Sequence, residues 1–155
     1  MKILLSVLIA VTFISCQRIE TGDSIDKKTT SHIRSLGLLD KDEKIIKYYS
    51  NFTKKSAGNF FTDKRLAIYW LAGSDTSENE ISFAYYRDII SIDTTYQVPD
   101  TFIPYMLITR KDSSQFKVFV DGSRKEIKKF SRMRWLFGRK IEITNNSSHP
   151  VSPSP

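Results

Sequence analysis

Gln115-Phe116-Lys117-Val118-Phe119-Val120-Asp121-Gly122-Ser123-Arg124-Lys125-Glu126-Ile127-Lys128-Lys129-Phe130 is the stretch in which the chain changes period. Phe116, Val118 and Val120 alternate with Lys117 and Phe119, the two-residue repeat of a half-buried strand. Asp121-Gly122 ends it. Ser123 and Glu126 then have capping-box spacing: the serine hydroxyl can accept from the Glu126 amide, and the glutamate can reach back to the Ser123 amide. Ile127, Phe130, Met133 and Phe137 follow on one helical face, and Gly138 is placed to stop the helix. The period thus changes from that of a strand to that of an amphipathic helix.

Upstream of Gln115 the texture is that of strands. Lys44–Ser50 is rich in branched and aromatic residues. Asn59–Thr62, the polar corner Asp63-Lys64 and Arg65–Leu71 read as a hairpin, with Leu66, Ile68 and Trp70 on one face. Gly73–Asn79 contains no apolar residue and reads as a loop. Ile81–Tyr85, Ile89–Tyr96 and Phe102–Thr109 follow as strands. Pro104 places the last at an edge or a bulge, because proline cannot donate a ladder hydrogen bond. The total is about seven strands at short spacing, a mainly β chain of sandwich or barrel type.

Seven antiparallel strands followed by one C-terminal amphipathic helix is the element order of a pleckstrin-homology-like (PH-like) fold. The chain resembles the bacterial PH-like domains in Leu39–Ser50, in Gly58–Leu66 with its Thr62-Asp63-Lys64-Arg65-Leu66 segment, and in Ile81–Ile92 with its Asp88-Ile89-Ile90-Ser91-Ile92 run. The resemblance covers residues 39–138. It implies a strongly bent antiparallel sheet or barrel, capped by a helix that plugs the open end through Ile127, Phe130, Met133 and Phe137. It implies a fold more than a function.

The N-terminus carries a different message. Met1-Lys2 precedes the apolar run Ile3–Ser15, and then comes Cys16, the chain's one cysteine. One positive charge before about a dozen apolar residues is a secretory signal pattern, too short for a spanning helix of about 20. Ser15-Cys16 resembles a bacterial lipobox, which implies diacylglyceryl transfer to the Cys16 thiol and a new N-terminus there. Phe13 and Ile14 depart from the usual lipobox residues. The expected organisation is a signal peptide over 1–15, a lipidated Cys16 and polar tether with a short helix (Ser31 to Leu39) over 16–38, a PH-like domain over 39–140 and a low-complexity tail over 141–155. Gln17 is not an acidic retention residue, which favours the outer membrane of a bacterial envelope, facing the periplasm.

The 155 residues carry 24 Lys and Arg against 17 Asp and Glu, a net charge of +7. Arg124, Lys125, Lys128, Lys129, Arg132, Arg134, Arg139 and Lys140 stand against Glu126 alone, so the closing helix region is itself +7. Basicity therefore belongs to one element. Arg124, Lys125, Lys128, Lys129, Arg132 and Arg134 are the candidate basic binding face. It would meet anionic headgroups, at about 1 kcal/mol per basic residue near such a surface, or an acidic protein. Nucleic acid is not expected for an exported chain.

Signals for catalysis are weak. One Cys and two His exclude a disulfide framework and argue against a Cys/His zinc site. His32 and His149 have no sequence partner. The six glycines are never closer than 15 residues, so no phosphate-cradling loop can form. Asp40, Asp42 and Glu43 are acidic neighbours, but Ile45 stands where a calcium loop needs glycine. No cofactor or metal is expected. The expectation is a lipid-anchored, non-enzymatic binding or scaffolding module. The alternative is a small-ligand or lipid carrier with an apolar cavity in the sheet.

Overall fold

β3 (Ala57–Thr62) is buried along its whole length, and β4 (Arg65–Trp70) everywhere except Trp70. A strand buried on both faces needs cover on both, and that requirement organises the molecule. The computed structural model describes residues 19–50, 52–95, 104–120, 125, 128, 130 and 142–145. Together with β1 (Glu20–Thr21), β2 (Ile45–Tyr49) and β5 (Glu80–Tyr85), these strands make a five-stranded sheet in the order β1-β2-β3-β4-β5, antiparallel throughout. A second sheet has the order β8-β7-β6-β9, built from β6 (Ile89–Thr95), β7 (Tyr105–Arg110), β8 (Gln115–Phe119) and β9 (Glu142–Asn145). Its first three strands are antiparallel, and β9 runs parallel to β6.

Alternation divides the side chains of the first sheet between two cores. Tyr49, Phe61, Leu66, Ile68 and Ala84 point toward the second sheet and pack with Ile92, Met106, Ile108, Phe116 and Val118. Phe130 joins them, fully buried, with its ring 4.7 Å from that of Phe61. Tyr48, Phe60, Ala67 and Tyr69 point the other way and pack under Ile33, Leu38 and Leu39. The seven strands of the two meanders, β2–β5 and β6–β8, match the expected count. Helical Lys125, Lys128 and Phe130 follow them, and the remainder of the expected closing helix, including Ile127, Met133 and Phe137, lies outside the described residues.

Four expectations need correction. The barrel is not closed: the described strands form two separate hydrogen-bonded sheets. Pro104 is not inside a strand. It stands just before β7, which is a central strand, and its carbonyl accepts from the Val120 amide. Glu142–Asn145, assigned to the tail, pair with β6 as a strand. The segment read as a tether is built into the fold from Ile19 onward, and its helix lies at Lys27–Ser35 (α1) rather than Ser31 to Leu39.

The local chemistry explains that helix. Asp26 is its N-cap, accepting from the Thr29 amide at 2.8 Å, and the same bond holds the Asp26 carboxyl below its ordinary range. Gly37, at φ +73°, follows the last turn; its amide reaches the Arg34 carbonyl and the Leu38 amide reaches Ile33. This is a Schellman stop, so the glycine that seems to spoil a helix over 31–39 ends the one over 27–35. Ile33 and the two leucines beyond the stop then cover the outer face.

β1 enters through close backbone packing. A Cβ on Gly22 would lie 1.7 Å from the Ile45 carbonyl oxygen. Gly22→Ala is therefore expected to push β1 off β2. Overpacking of this kind costs about 1–3 kcal/mol, read as a lower midpoint in urea unfolding with faster amide exchange at Glu20 and Thr21.

Candidate functional site

The first sheet has two chemically different ends. At one, the hairpin corner between β3 and β4 brings Arg65 onto the outer face, where it is 1% exposed. Its Nε donates to Glu43 Oε1 at 2.9 Å and its Nη2 to Glu43 Oε2 at 2.6 Å, a bidentate pair. Nη2 also lies 2.8 Å from Asp40 Oδ2. The Thr62 hydroxyl donates to Glu43 Oε1 and accepts from the Lys64 and Arg65 amides. The Phe83 and Tyr85 rings, at 5.0 and 4.7 Å, face the guanidinium from β5. Burial works against the Arg65 charge, but the bonds from Glu43 and Asp40 outweigh it, so its pKa is raised. The polar groups here bind one another. They join the α1–β2 connection to the hairpin and to β5.

The other end carries the Ser50–Ala57 connection, the close of β4 and the start of β5. Tyr48 and Tyr69 bury their hydroxyls 2.9 Å apart over Gly58. Tyr48 Oη donates to the Ala57 carbonyl and Tyr69 Oη to the Lys54 carbonyl. Burial pushes the Tyr69 phenol up to about 12 and raises Tyr48 further in the same direction. A Cβ on Gly58 would fall 2.5 Å from the Tyr69 ring, so glycine is what lets the two rings meet. Beside them a cleft of about 400 Å³ opens between the sheets, lined by Phe52, Ala57, Asn59, Ile68, Tyr69, Trp70, Glu80 and Phe119. Asn59 Oδ1 accepts from the Phe119 amide at 3.0 Å and ties β3 to β8 at the cleft floor. At its rim Phe52 and Trp70 meet edge-to-face at 4.9 Å and are 59% and 40% exposed. Such a cleft, apolar with a few polar groups, suits an apolar ligand or an apolar surface.

The residues singled out from sequence fall unevenly. Cys16, Arg124, Lys129, Arg132 and Arg134 lie outside the described residues. Lys125 and Lys128 occupy exposed helical positions, while Phe130 is buried, as an amphipathic helix requires. His32 sets its ring edge against Tyr69 at 5.6 Å, a packing role. Asp40 and Glu43, weighed in sequence as calcium ligands, instead hold Arg65. Among the described residues no group of three or more His, Cys, Asp or Glu could hold a metal ion. Sequence reading missed the Arg65 pair and the Phe52–Trp70 rim. Arg65 could have been suspected as a charge interrupting an apolar strand, but its partner is 22 residues away.

The class defined is a mainly β domain of two sheets with a helix laid on the outer face of the first. No family model matches the chain, and no curated protein matches it. Among solved structures it is similar to a DUF1696 family protein with a pleckstrin-homology domain from Shewanella loihica PV-4. The identity is 14% and the TM-score 0.44, over 66% of this chain and 92% of the other.

Two outcomes follow from the geometry. Arg65→Met should strand Glu43 as a buried, unpaired charge and destabilise by about 3–5 kcal/mol, whereas Arg65→Met with Glu43→Leu should recover part of that loss. A double-mutant cycle by chemical denaturation checks it. Separately, the folded chain keeps the Tyr69 proton to about pH 12, while the unfolded chain loses it near pH 10. The stability associated with that proton is whole below about pH 10 and is lost as pH rises through about 12. Tyr69→Phe should flatten this alkaline slope in unfolding midpoints measured from pH 8 to 12.

Proposed function

We propose that the chain is a PH-like, lipid-anchored binding or scaffolding module of a bacterial cell envelope, without catalytic activity. In this reading Cys16 carries the lipid and the domain faces the periplasm from the outer membrane. The observation that carries it is the Ser15-Cys16 site at the close of an apolar run, followed four residues later by β1. The element order, two antiparallel meanders and then helical positions leading to buried Phe130, supports the PH-like part. Support for a binding role over an enzymatic one comes from the two polar clusters of the first sheet, since Arg65, Glu43, Thr62, Tyr48 and Tyr69 are engaged with one another or with backbone. The partner of the basic helix region would be an anionic headgroup or an acidic protein rather than nucleic acid. No cofactor is part of this reading.

The cleft under Phe52 and Trp70 favours a second reading, a carrier of a small apolar ligand or lipid. Native mass spectrometry of the purified protein separates the two, because a co-purifying lipid supports the carrier.

The basic face is tested on a chain starting at Gln17, which keeps every described element. Its binding to anionic vesicles at low salt should fall when Lys128, Lys129 and Arg132 are changed together to Glu. Equal binding of the two chains would remove the headgroup partner.

A further inference from the structure

Resting on the reading of Cys16 as the lipid-bearing residue, we infer that the Phe52–Trp70 end of the first sheet is seated in the membrane interface, and that its occupant is the bilayer surface itself. The first argument is chain length. Glu20 is hydrogen-bonded into the sheet opposite Tyr48. Four residue steps separate it from Cys16, a reach of at most about 14 Å. A tether that short cannot lift the domain clear of its lipid.

The second argument is direction. β1 is antiparallel to β2, with Thr21 opposite Lys47 and Glu20 opposite Tyr48. Read back toward its start, the chain therefore runs toward Tyr49 and the Ser50–Ala57 connection, where Phe52 stands. Lys54 locks this geometry by holding Glu20 at 2.7 Å and Asp26 at 3.7 Å. β1 thus starts at the end of the sheet that carries the Phe52–Trp70 pair, and a lipid on Cys16 is attached within that short reach of it.

The third argument is composition. Two large aromatic rings share an exposed edge-to-face contact, and the local Ser50 turn fixes one of them: Ser50 Oγ accepts from the Phe52 amide and donates to the Phe52 carbonyl. Trp70, with an apolar ring body and a polar indole N–H, is of the type that settles at the headgroup level of bilayers, and Phe52 adds an apolar ring that gains by leaving water beside it. The neighbouring Thr76–Glu78 turn and the start of β5 bring Asp75, Glu78 and Glu80 to the same end. Those carboxylates would repel an anionic surface. On the Phe52 connection Lys54 is paired with Glu20 and Lys55 is exposed, so against Asp75, Glu78 and Glu80 this end stays acidic on balance; the contact therefore depends on the rings, works on zwitterionic lipid and is insensitive to salt.

The test uses the full, processed chain reconstituted into phosphatidylcholine vesicles, some containing lipid brominated on its acyl chains. The chain has two tryptophans, so Trp135→Phe leaves Trp70 as the sole emitter. Expected are blue-shifted emission, loss of emission in brominated vesicles and no change of that loss between low and high salt. Phe52→Ser should weaken the quenching. Should Trp135→Phe fail to fold, the unmodified chain gives the same answer through slowed amide exchange over residues 52–56 on vesicles, with the Lys111–Ser114 turn as the unprotected reference. Absence of quenching or protection, in a chain whose mass shows lipid on Cys16, overturns the seating and leaves the anchor standing. A mature mass without lipid overturns the anchor reading and this inference with it.

Discussion

A guanidinium buried in a protein must bring its counter-charges inside with it, because the effective cost of taking an ion out of water is several kcal/mol. Arg65 is almost wholly enclosed, and the chain meets that demand from three directions. Glu43 and Asp40 come from the connection after α1, the Thr62 hydroxyl orients Glu43 from the hairpin, and the Phe83 and Tyr85 rings close the site from β5. The partners come from three elements, so the site is complete only when helix connection, hairpin and β5 are assembled together. A pair of this kind is weak evidence for net stability. It is better understood as fixing register. Sliding β4 by one residue would turn Arg65 toward the inner core, where Phe61, Ile108 and Phe116 offer it nothing.

The same constraint explains why the N-terminal segment is structural. Strands whose two faces are both apolar cannot stand at a sheet surface, and Tyr48, Phe60, Ala67 and Tyr69 form an outer apolar face as complete as the inner one. α1, stopped at Gly37 so that Leu38 and Leu39 can turn down onto the sheet, supplies the cover. β1 then adds to the edge of β2, with the Glu20–Lys54 ion pair beside it. The described chain thus begins at one end of the first sheet, paired to β2 from Glu20 onward.

How far the sequence disclosed this depends on which period carried the signal. The strands from β2 to β8 were legible because their branched and aromatic residues alternate or run together between turn formers, and the count of seven in two meanders stands. The buried Phe130 was legible from helical spacing. What was not legible has physical causes. Arg65 and Trp70 bracket an unbroken run, Leu66 to Tyr69, in a strand buried on both faces, so period two cannot say which face is the core. α1 has a polar composition and buries only Thr29 and Ile33, too thin a stripe for periodicity to detect; its cap at Asp26 and its stop at Gly37 were the readable marks. β9 pairs parallel with a strand some fifty positions earlier in the chain, and no local signal announces such a partner. The cleft rim is a meeting of a connecting loop with the end of β4, and sequence spacing does not encode that distance.

Two open sheets also pose the problem of free edges, since exposed ladder groups invite pairing with other chains. The outer edge of the first sheet is β5, and its Phe83 carbonyl, turned away from β4, accepts both Nε and Nη2 of Arg110 from the second sheet at 3.0 and 2.8 Å. At the edge of the second sheet, the Phe119 amide is taken by Asn59 Oδ1. The opposite edge of the first sheet is β1, only two residues long. Side chains thus occupy edge groups that a passing strand would need, and each does so by bridging the two sheets. With those edge groups taken, the exposed apolar surface of the first sheet's loop end, where β1 starts and where Phe52 and Trp70 stand open to solvent, is not part of any strand edge.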